Sequence, residues 1–264
     1  MDSDEKLKLY EGREYIVAKS NAIVQKSRYE LSVVEQRTIA YICSLIKPRT
    51  DSDRVNNQPF ILEYDFNIRD YARICGLSCD NGRIYEETKT LLKGLQQKVM
   101  WMTLEDGTET TVNWVNKVWT NKRSGLAKIR LDEDMTPHLF DLQAKFLSYG
   151  LKNILAMKSQ YSIRLYEILK SYAFQKSKTF EIDELKRLLM VETVKSYGNY
   201  NLFKTKVLDV AQEEINELTD ITVFFEPILK GRKTVKVNFK IKQKDTWASG
   251  SCAVIADKKL GKIE

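Results

Sequence analysis

The stretch KTFEIDELKRLLMV (residues 178–191), followed after a polar break by YNLFKTKVLDVAQEEINEL (residues 200–218), decides the fold. Phe180 and Ile182 predict a short strand that leads straight into a short amphipathic helix. In the second stretch, Phe203, Val207 and other apolar residues recur at helical spacing, which predicts a longer helix with one buried face. The pair therefore predicts a strand, a short helix, a turn and a longer helix.

The same pattern occurs once more, earlier in the chain, as FILEYDFNIRDYARICGL (60–77) followed by RIYEETKTLLKGLQQKVMWM (83–102). Phe66 and Ile68 correspond to Phe180 and Ile182 as short strand-like starts. The longer helices match at four positions, where Tyr85, Lys89, Leu92 and Leu95 recur as Tyr200, Lys204, Val207 and Val210. A single copy would be weak support for a fold, but two matching copies indicate an internal duplication.

Each long helix is followed by two strand-like segments joined by a basic turn. In the first copy these are VNWVNKVWT (112–120) and LAKIRL (126–131), and in the second they are ITVFFEPIL (221–229) and TVKVNFKI (234–241). A short helix, a turn, a longer helix and a β-hairpin with a basic tip form the winged-helix arrangement. We therefore predict an α+β protein with two tandem winged-helix domains, each with a helix-turn-helix and a β-hairpin wing.

Both domains have a further helix in front of them. LSVVEQRTIAYICSLIK (31–47) opens with Ser32 and Glu35 at the spacing of a capping box, and its apolar stripe could face its own core or a second copy of the chain. MKSQYSIRLYEILKSYAFQ (157–175) has a similar stripe, and YGLKNILAM (149–157) between the halves is expected to act as a hinge. The predicted segments are a flexible N-terminus 1–13, an N-terminal domain 14–150, a C-terminal domain 151–245 and a flexible tail 246–264.

The charges of the helix 200–218 run against its own dipole, with lysines near its N-terminus and acids near its C-terminus. Unpaired amides, the positive end of the dipole and two lysines together favour an anion at that end. We interpret this as a site for DNA, with the acids at the far end repelling DNA and fixing the direction of docking. The alternative is a solvated charged face without a ligand. The predicted contacts on this helix are Asn201, Lys204, Thr205 and Lys206.

The remaining predicted DNA contacts lie in the wings and on the first long helix. The wing residues would bind phosphates, which gives affinity rather than sequence preference; they are Lys122 and Arg123 in the first hairpin and Lys230, Arg232 and Lys233 in the second. From the outer face of the first long helix, the candidates are Arg83, Thr90 and Lys93, with Lys89 as the repeat of Lys204. Lys195, just before the second long helix, is a further backbone contact.

Composition sets broad limits on other functions. The 264 residues carry 43 Lys and Arg against 36 Asp and Glu, a formal charge of +7 that suits a polyanionic partner. No apolar run approaches the roughly 20 residues of a membrane helix, so we expect a cytoplasmic protein without membrane contact. With one histidine, His138, and four cysteines without a second pair, we expect reduced thiols and neither a metal nor another cofactor. A metal-dependent nuclease site and a phosphate-binding G-x-x-x-x-G-K-[ST] loop are both missing from the sequence, which predicts no enzyme.

The chain resembles the plasmid replication initiators that bind iterons and have two winged-helix domains. The resemblance runs from about Tyr15 to Lys242, and its N-terminal part is KSNAIVQKSRYELSVVEQRTIAYICSLI. More specific are YSIRLYEILKSYAF, FEIDELKRLLMV and the continuous stretch from Tyr200 through the GRK turn to Ile241. This sequence departs from many relatives at Thr205, where they carry another basic residue, which leaves the base preference open.

The resemblance implies functions that spacing alone does not show. Such proteins bind iteron repeats in double-stranded DNA as monomers, promote opening of the adjacent AT-rich origin, and help to recruit the host replication initiator and the replicative helicase. As dimers they repress their own gene and so take part in plasmid copy control, and the N-terminal domain supplies most of the dimer contact. The C-terminal helix would be the main base reader and the N-terminal helix the secondary one. A winged-helix transcriptional repressor without origin function is the alternative.

Overall fold

The computed structural model describes residues 15–77, 83–104, 106–142 and 146–244. It mixes helices and strands, which confirms the predicted α+β class. The helices are α1 Asn21–Lys26, α2 Val33–Leu45, α3 Asp51–Val55, α4 Ile68–Ile74, α5 Arg83–Gln96, α6 Thr136–Leu139, α7 Lys152–Leu155, α8 Gln160–Ser171, α9 Ile182–Leu188, and α10, which runs through the consecutive segments Tyr200–Phe203, Lys204–Leu208 and Asp209–Leu218. The predicted flexible segments 1–13 and 246–264, as well as Cys79 and Cys252, lie outside the described residues.

The strands form four small antiparallel sheets. They are β1 Ile16–Ser20, β2 Ser27–Arg28, β3 Glu63–Asn67, β4 Val99–Thr103, β5 Glu109–Asn113, β6 Val115–Asn121, β7 Leu126–Leu131, β8 Phe146–Gly150, β9 Ser177–Glu181, β10 Ile221–Lys230 and β11 Lys233–Gln243. The sheet orders are β1-β8, β2-β4-β5, β3-β7-β6 and β10-β11-β9.

The duplication is confirmed by the topology of the two winged-helix sheets. In both domains the strand before the short helix pairs with the second strand of the wing, so that β3 pairs with β7 and β9 pairs with β11. Phe66 and Phe180 occupy equivalent registers, opposite Ala127 and Val237, and both rings are buried. Each of these two sheets therefore has a buried phenylalanine at the same position of the strand that precedes the short helix.

Local capping explains where two of the helices begin. The predicted capping box of α2 is present: the Ser32 hydroxyl accepts from the Glu35 amide, and the Glu35 carboxylate accepts from the Ser32 amide at 2.7 Å. In the first winged helix, the Asn67 side chain accepts from the amides of Arg69 and Asp70 at the start of α4. Caps of this kind stabilise a helix by about 1 kcal/mol.

The stripe on α2 faces the core of its own domain. Ile39 and Ile42 are buried, and so are Ala40, Tyr41 and Cys43 on the neighbouring faces of the helix. Ile46 of the stripe is buried as well, whereas Val34 is exposed and Leu45 half-buried, so most of the stripe packs in the core of its own domain.

The predicted single strand 112–120 is instead two strands in different sheets. Val112 belongs to β5 and pairs with Met100 of β4, whereas Val115 begins β6 and pairs with Leu131 of β7. Trp114, buried between them, lies at the point where the chain changes sheets. The alternating apolar residues look continuous because both strands bury a valine on either side of this tryptophan.

The predicted hinge at residues 149–157 is wrong. Tyr149 lies in β8 and pairs with Val17 of β1, and Leu151, Ile154 and Met157 are buried. A segment that is packed on both sides and hydrogen-bonded into a sheet resists bending. Glycine at position 150 is the last residue of β8 rather than a free joint.

Helix α8 connects the two domains more closely than its sequence suggested. Nine of its twelve residues are buried, including the charged Arg164 and Glu167. Arg164 donates to the carbonyl oxygen of Ser27 at 2.7 Å in the N-terminal domain, and Lys170 lies 2.7 Å from Asp220 in the C-terminal domain. The helix therefore belongs to the core of both domains.

Candidate nucleic-acid interface

Helix α10 begins as predicted but contains one unexpected turn. The Asn199 side chain accepts from the Asn201 amide at 2.9 Å and so caps its start. The segment Lys204–Leu208 is a π-helix, which inserts one extra residue into the turn. After this insertion Leu208, Ala211 and Ile215 are buried. Val210 and Leu218, which an uninterrupted helix would also place near the core, are only half-buried.

The wing of the C-terminal domain is a long hairpin with a tight basic tip. Lys230 and Lys233 pair across the turn, and Gly231 between them has a φ of 62°, a left-handed value that glycine adopts without strain. Lys230, Arg232 and Lys233 are all exposed. The short turn therefore holds three cations at the end of one β-ribbon.

An open groove of about 960 Å³ lies between the start of α10, helix α9 and the wing. It brings together five of the predicted contacts, which are Asn201, Lys204, Lys230, Arg232 and Lys233. Lys186 of α9 adds a cation and Asp183 an acid to its lining. Neither residue was predicted from the sequence, because α9 shows no charge pattern beyond that of a solvated helix face.

Amide side chains hold the wing at a fixed angle to α10. Asn216 accepts from the Val223 amide at 2.6 Å and donates to its carbonyl at 3.0 Å, and Gln212 accepts from the Phe225 amide at 3.2 Å. Because β10 is the edge strand of its sheet, these bonds satisfy main-chain groups that have no neighbouring strand. The helix and the wing therefore present their cations as one rigid surface.

The remaining predicted contacts of this domain lie beside the groove. Thr205 and Lys206 are exposed on α10, and Lys195 is exposed in the short 3₁₀ turn Lys195–Gly198 that precedes it. None of the ion pairs found among the described residues involves Lys206 or the three wing cations. These side chains are consequently able to meet an external anion.

Lys204 differs from the prediction. It was predicted as a DNA contact, yet its Nζ already has an internal partner and lies 2.8 Å from both carboxylate oxygens of Asp209. It also lies 5.6 Å from the centre of the Phe225 ring. Lys89, its counterpart in the first copy, is exposed on a regular α-helix, so the two lysines are not structurally equivalent.

The N-terminal domain presents its predicted contacts on α5 and on its own wing. Arg83, Lys89, Thr90 and Lys93 are exposed on α5, and Lys122 and Arg123 are exposed at the tip between β6 and β7. Two of them already have acidic neighbours: Arg83 lies 3.1 Å from Glu87, and Lys122 lies 3.5 Å from Glu86. This surface is therefore less cationic than the groove of the C-terminal domain.

Comparison with known proteins assigns the chain to a family. Residues 16–170 match the first winged-helix domain (WH1) of the initiator replication protein family, and residues 181–241 match its second (WH2). The chain belongs to this family. The matches confirm the two winged-helix domains and the resemblance on which the sequence analysis relied.

Individual relatives of this family member are distant. A replication initiation protein of Escherichia coli is 24% identical over 236 residues, covering 86% of this chain and 70% of that protein. The PI protein of Escherichia coli is 28% identical over 148 residues, covering 50% of this chain and 48% of that protein, about half its length. A crystal structure of the Pi initiator protein in complex with iteron DNA superimposes with a TM-score of 0.69 at 21% identity, covering 88% of this chain and 98% of that one, which shows the shared fold.

The acids at the end of α10 in this family member have internal partners. Glu214 accepts from the amides of Lys158 and Ser159 at 2.7 and 3.2 Å, and so caps the start of α8. Asp220 accepts from the Tyr166 hydroxyl at 2.9 Å and pairs with Lys170. Both acids anchor α8 to the C-terminal domain. This structural role explains why they lie at the end of α10 without the expected repulsion of DNA.

A cation also compensates the C-terminus of α10. The Lys244 ammonium donates to the carbonyl oxygens of Asn216 and Thr219 at 2.6 and 2.7 Å. Lys244 lies 24 residues beyond Asp220, outside the helices and the repeated pattern, so the sequence pattern gave no sign of it. It supplies the positive charge that the helix lacks in its own last turn.

Other polar groups of this family member have structural partners. His138 lies at the end of α6, and its Nδ1 is 2.8 Å from the Ser20 hydroxyl; burial lowers its pKa below the ordinary value. Cys43 is buried and Cys75 half-buried, and burial raises the pKa of the Cys43 thiol to about 11. Among the residues that the structure describes, no group of three His, Cys, Asp or Glu side chains could hold a metal ion, and no helix is long and apolar enough to span a bilayer.

Proposed function

We propose that this chain is a plasmid replication initiator that binds iteron repeats at its origin, by recognition of DNA rather than by catalysis. One observation carries the proposal: the groove of the C-terminal domain gathers the start of α10 and the wing cations on one side of the molecule. Family membership supports it, as does the iteron complex formed by the structurally similar Pi protein.

In this proposal the two elements of the C-terminal domain have different tasks. The start of α10, with Asn201, Thr205 and Lys206, enters the major groove and reads base edges. The wing cations Lys230, Arg232 and Lys233, together with Lys195, bind phosphates and fix the register. Since Gln212 and Asn216 tie the wing to α10, phosphate binding by the wing sets the depth at which the helix enters the groove.

The N-terminal domain makes the secondary DNA contact in this scheme, through Arg83, Lys89, Thr90, Lys93, Lys122 and Arg123. By resemblance to the family, DNA-bound monomers open the AT-rich origin and recruit the host replication initiator and the replicative helicase in the cytoplasm. Dimers repress the chain's own gene, and the dimer contact lies in the N-terminal domain. Burial of Ile39, Ile42 and Ile46 favours a dimer contact outside the central part of the α2 stripe.

Footprinting of the DNA that flanks the chain's own gene tests the proposal. We expect protection of several direct repeats of equal spacing next to an AT-rich block, with strand opening in that block. Protection of a single inverted repeat without opening indicates a repressor instead. If no site is protected at protein concentrations below those at which the protein binds random DNA, the proposal is wrong.

A further inference from the structure

We propose that Asp209 is a positioning residue that sets DNA specificity, because it holds the ammonium of Lys204 away from phosphates and directs it to a base edge. This inference rests on the proposed function and deepens it. Asp209 was not among the sequence-predicted contacts, because an acid in a DNA-binding helix is ordinarily expected to face away from DNA.

Lys204 contacts the Asp209 carboxylate on one side and lines the groove on the other. Lys204 Nζ lies 2.8 Å from both Oδ1 and Oδ2 of Asp209, and the two side chains are 41% and 40% exposed. The centre of the Phe225 ring, on strand β10 of the wing, lies 5.6 Å from Lys204 Nζ. An ammonium has three donors, so two of them point to the carboxylate and one is left for an acceptor in the groove.

The π turn is what makes this pair possible. In a regular α-helix, residues five positions apart are rotated by about 140° from each other, since each residue adds about 100°. A π turn closes hydrogen bonds over five residues instead, which brings residues 204 and 209 to the same side of the helix. The π turn therefore places Asp209 where its carboxylate holds the Lys204 ammonium at the edge of the groove.

Lys204 is thereby distinguished from the other cations that line the groove. Lys230, Arg232 and Lys233 are exposed and take no part in the ion pairs found in the described part of the chain, so they bind any phosphate with equal ease. Lys204 carries its own counter-charge and gains little from a phosphate. Its remaining N–H is suited to a directional acceptor such as the N7 or O6 of guanine.

Specificity is the difference between binding to the cognate repeat and binding to other DNA. Non-specific binding comes almost entirely from contacts to phosphates, and its affinity depends steeply on salt concentration. Loss of the Asp209 charge converts Lys204 into one more mobile cation that binds phosphates. We therefore expect such a variant to bind random DNA more tightly while its preference for the repeat falls.

The experiment compares Asp209→Asn with wild type by fluorescence anisotropy, using a duplex with the footprinted repeat and a random duplex of equal length. Affinities are measured over a range of salt concentrations. For Asp209→Asn we expect the affinity for the random duplex to rise by about threefold or more, and the ratio of specific to non-specific affinity to fall. The salt slope for the random duplex should become steeper by about 0.9, the value for one additional phosphate contact. Asp209→Glu, which keeps the charge, is expected to restore most of the ratio.

Two controls isolate the pair. Glu217→Gln removes the same charge from an exposed position on the same helix and is expected to leave the ratio and the slope unchanged. In the background Lys204→Met, Asp209→Asn should have no further effect on the slope, because no cation is left to release. Thermal unfolding of each variant shows whether the fold is retained.

The inference is overturned if Asp209→Asn, folded as wild type, keeps the wild-type affinity ratio and salt slope. It is also overturned if the change in slope persists in Lys204→Met, or if Glu217→Gln causes the same change. A wild-type chain that binds repeat and random duplex equally contradicts the proposed function itself, whereas a discriminating wild type with an unaffected Asp209→Asn contradicts the role of Asp209 alone.

Discussion

Lys19 of β1 and Glu167 of α8 form a buried ion pair between two elements that are 148 residues apart in the sequence. The Lys19 ammonium lies 2.6 Å from Glu167 Oε1, and the two side chains are only 4% and 2% exposed. The Tyr149 hydroxyl donates to the same oxygen at 2.5 Å, and the Tyr29 hydroxyl donates to Oε2 at 3.3 Å. Every oxygen of this carboxylate thus has a partner in the N-terminal domain, which fixes α8 to that domain.

Glu167→Ala should destabilise the chain strongly. Removal of one member of a buried ion pair leaves the other charge without a partner, which costs about 3–5 kcal/mol of unfolding free energy. Denaturant unfolding followed by circular dichroism measures this loss. In the exposed pair Lys240–Glu226, by contrast, Glu226→Gln is expected to change stability by less than about 1 kcal/mol. Equal effects of the two substitutions would show that the buried pair does not anchor α8.

The same carboxylate predicts a dependence of stability on pH. Burial alone raises the pKa of Glu167, but the adjacent Lys19 and the hydrogen bonds to it outweigh burial and hold the pKa below its ordinary value of 4.5. A lowered pKa contributes stability that is present above pH 4.5 and is lost as pH falls through the folded-state pKa. The difference in unfolding free energy between wild type and Glu167→Gln should therefore narrow below pH 4.5. A difference that stays constant down to acid pH would contradict the assignment.

His138 offers a titration that can be observed without ambiguity, because the chain has no other histidine. Burial lowers its pKa below the ordinary 6.5, and the nearby Asp134 opposes this only in part. Protonation is thus harder in the folded chain, so stability is complete above pH 6.5 and falls as the pH decreases from there through the folded-state pKa. The imidazole proton resonances should titrate with a midpoint below 6.5, and a midpoint at or above 6.5 would show that burial does not dominate the titration of this ring.

Lys244 is expected to stabilise the C-terminus of α10. Lys244→Met removes a cation that donates to the carbonyl oxygens of Asn216 and Thr219, which should lower the unfolding free energy by about 0.5–2 kcal/mol. Lys242→Met, an exposed lysine on the neighbouring strand β11, is the matched control and should have little effect. Amide hydrogen exchange in the last turn of α10 should increase for Lys244→Met only. Unchanged exchange would mean that the cap is replaced by water.

The repeated pattern of apolar residues was sufficient to predict the two winged-helix domains. Phe66 and Phe180 mark the same buried position in each copy, and the basic turns mark the same hairpin tip. These features are local and periodic, so each follows from a short window of sequence. The groove cations at 230, 232 and 233 could be predicted for the same reason, since a tight turn leaves its side chains in solvent.

Other features depend on contacts between distant residues and left no local pattern. The change of sheets at Trp114 requires two different partner strands, and the partner of Glu167 lies 148 residues away at Lys19. The π turn at 204–208 changes the phase of the helix by one residue, which a fixed rotation per residue cannot represent. The pairing of Lys204 with Asp209 follows from that phase change and was therefore missed with it.

The central claim is that α10 and the wing of the C-terminal domain together form the DNA-binding surface. The most direct measurement is the affinity for the footprinted repeat, at several salt concentrations, of the triple variant Lys206→Ala, Arg232→Ala and Lys233→Ala. The control triple variant Lys26→Ala, Lys47→Ala and Lys158→Ala loses the same charge from exposed sites outside this surface. We predict that the first loses at least about tenfold in affinity and about 2.7 in salt slope, at an unchanged unfolding temperature, while the control binds as wild type. Equal affinities and slopes for the two triple variants would contradict the claim.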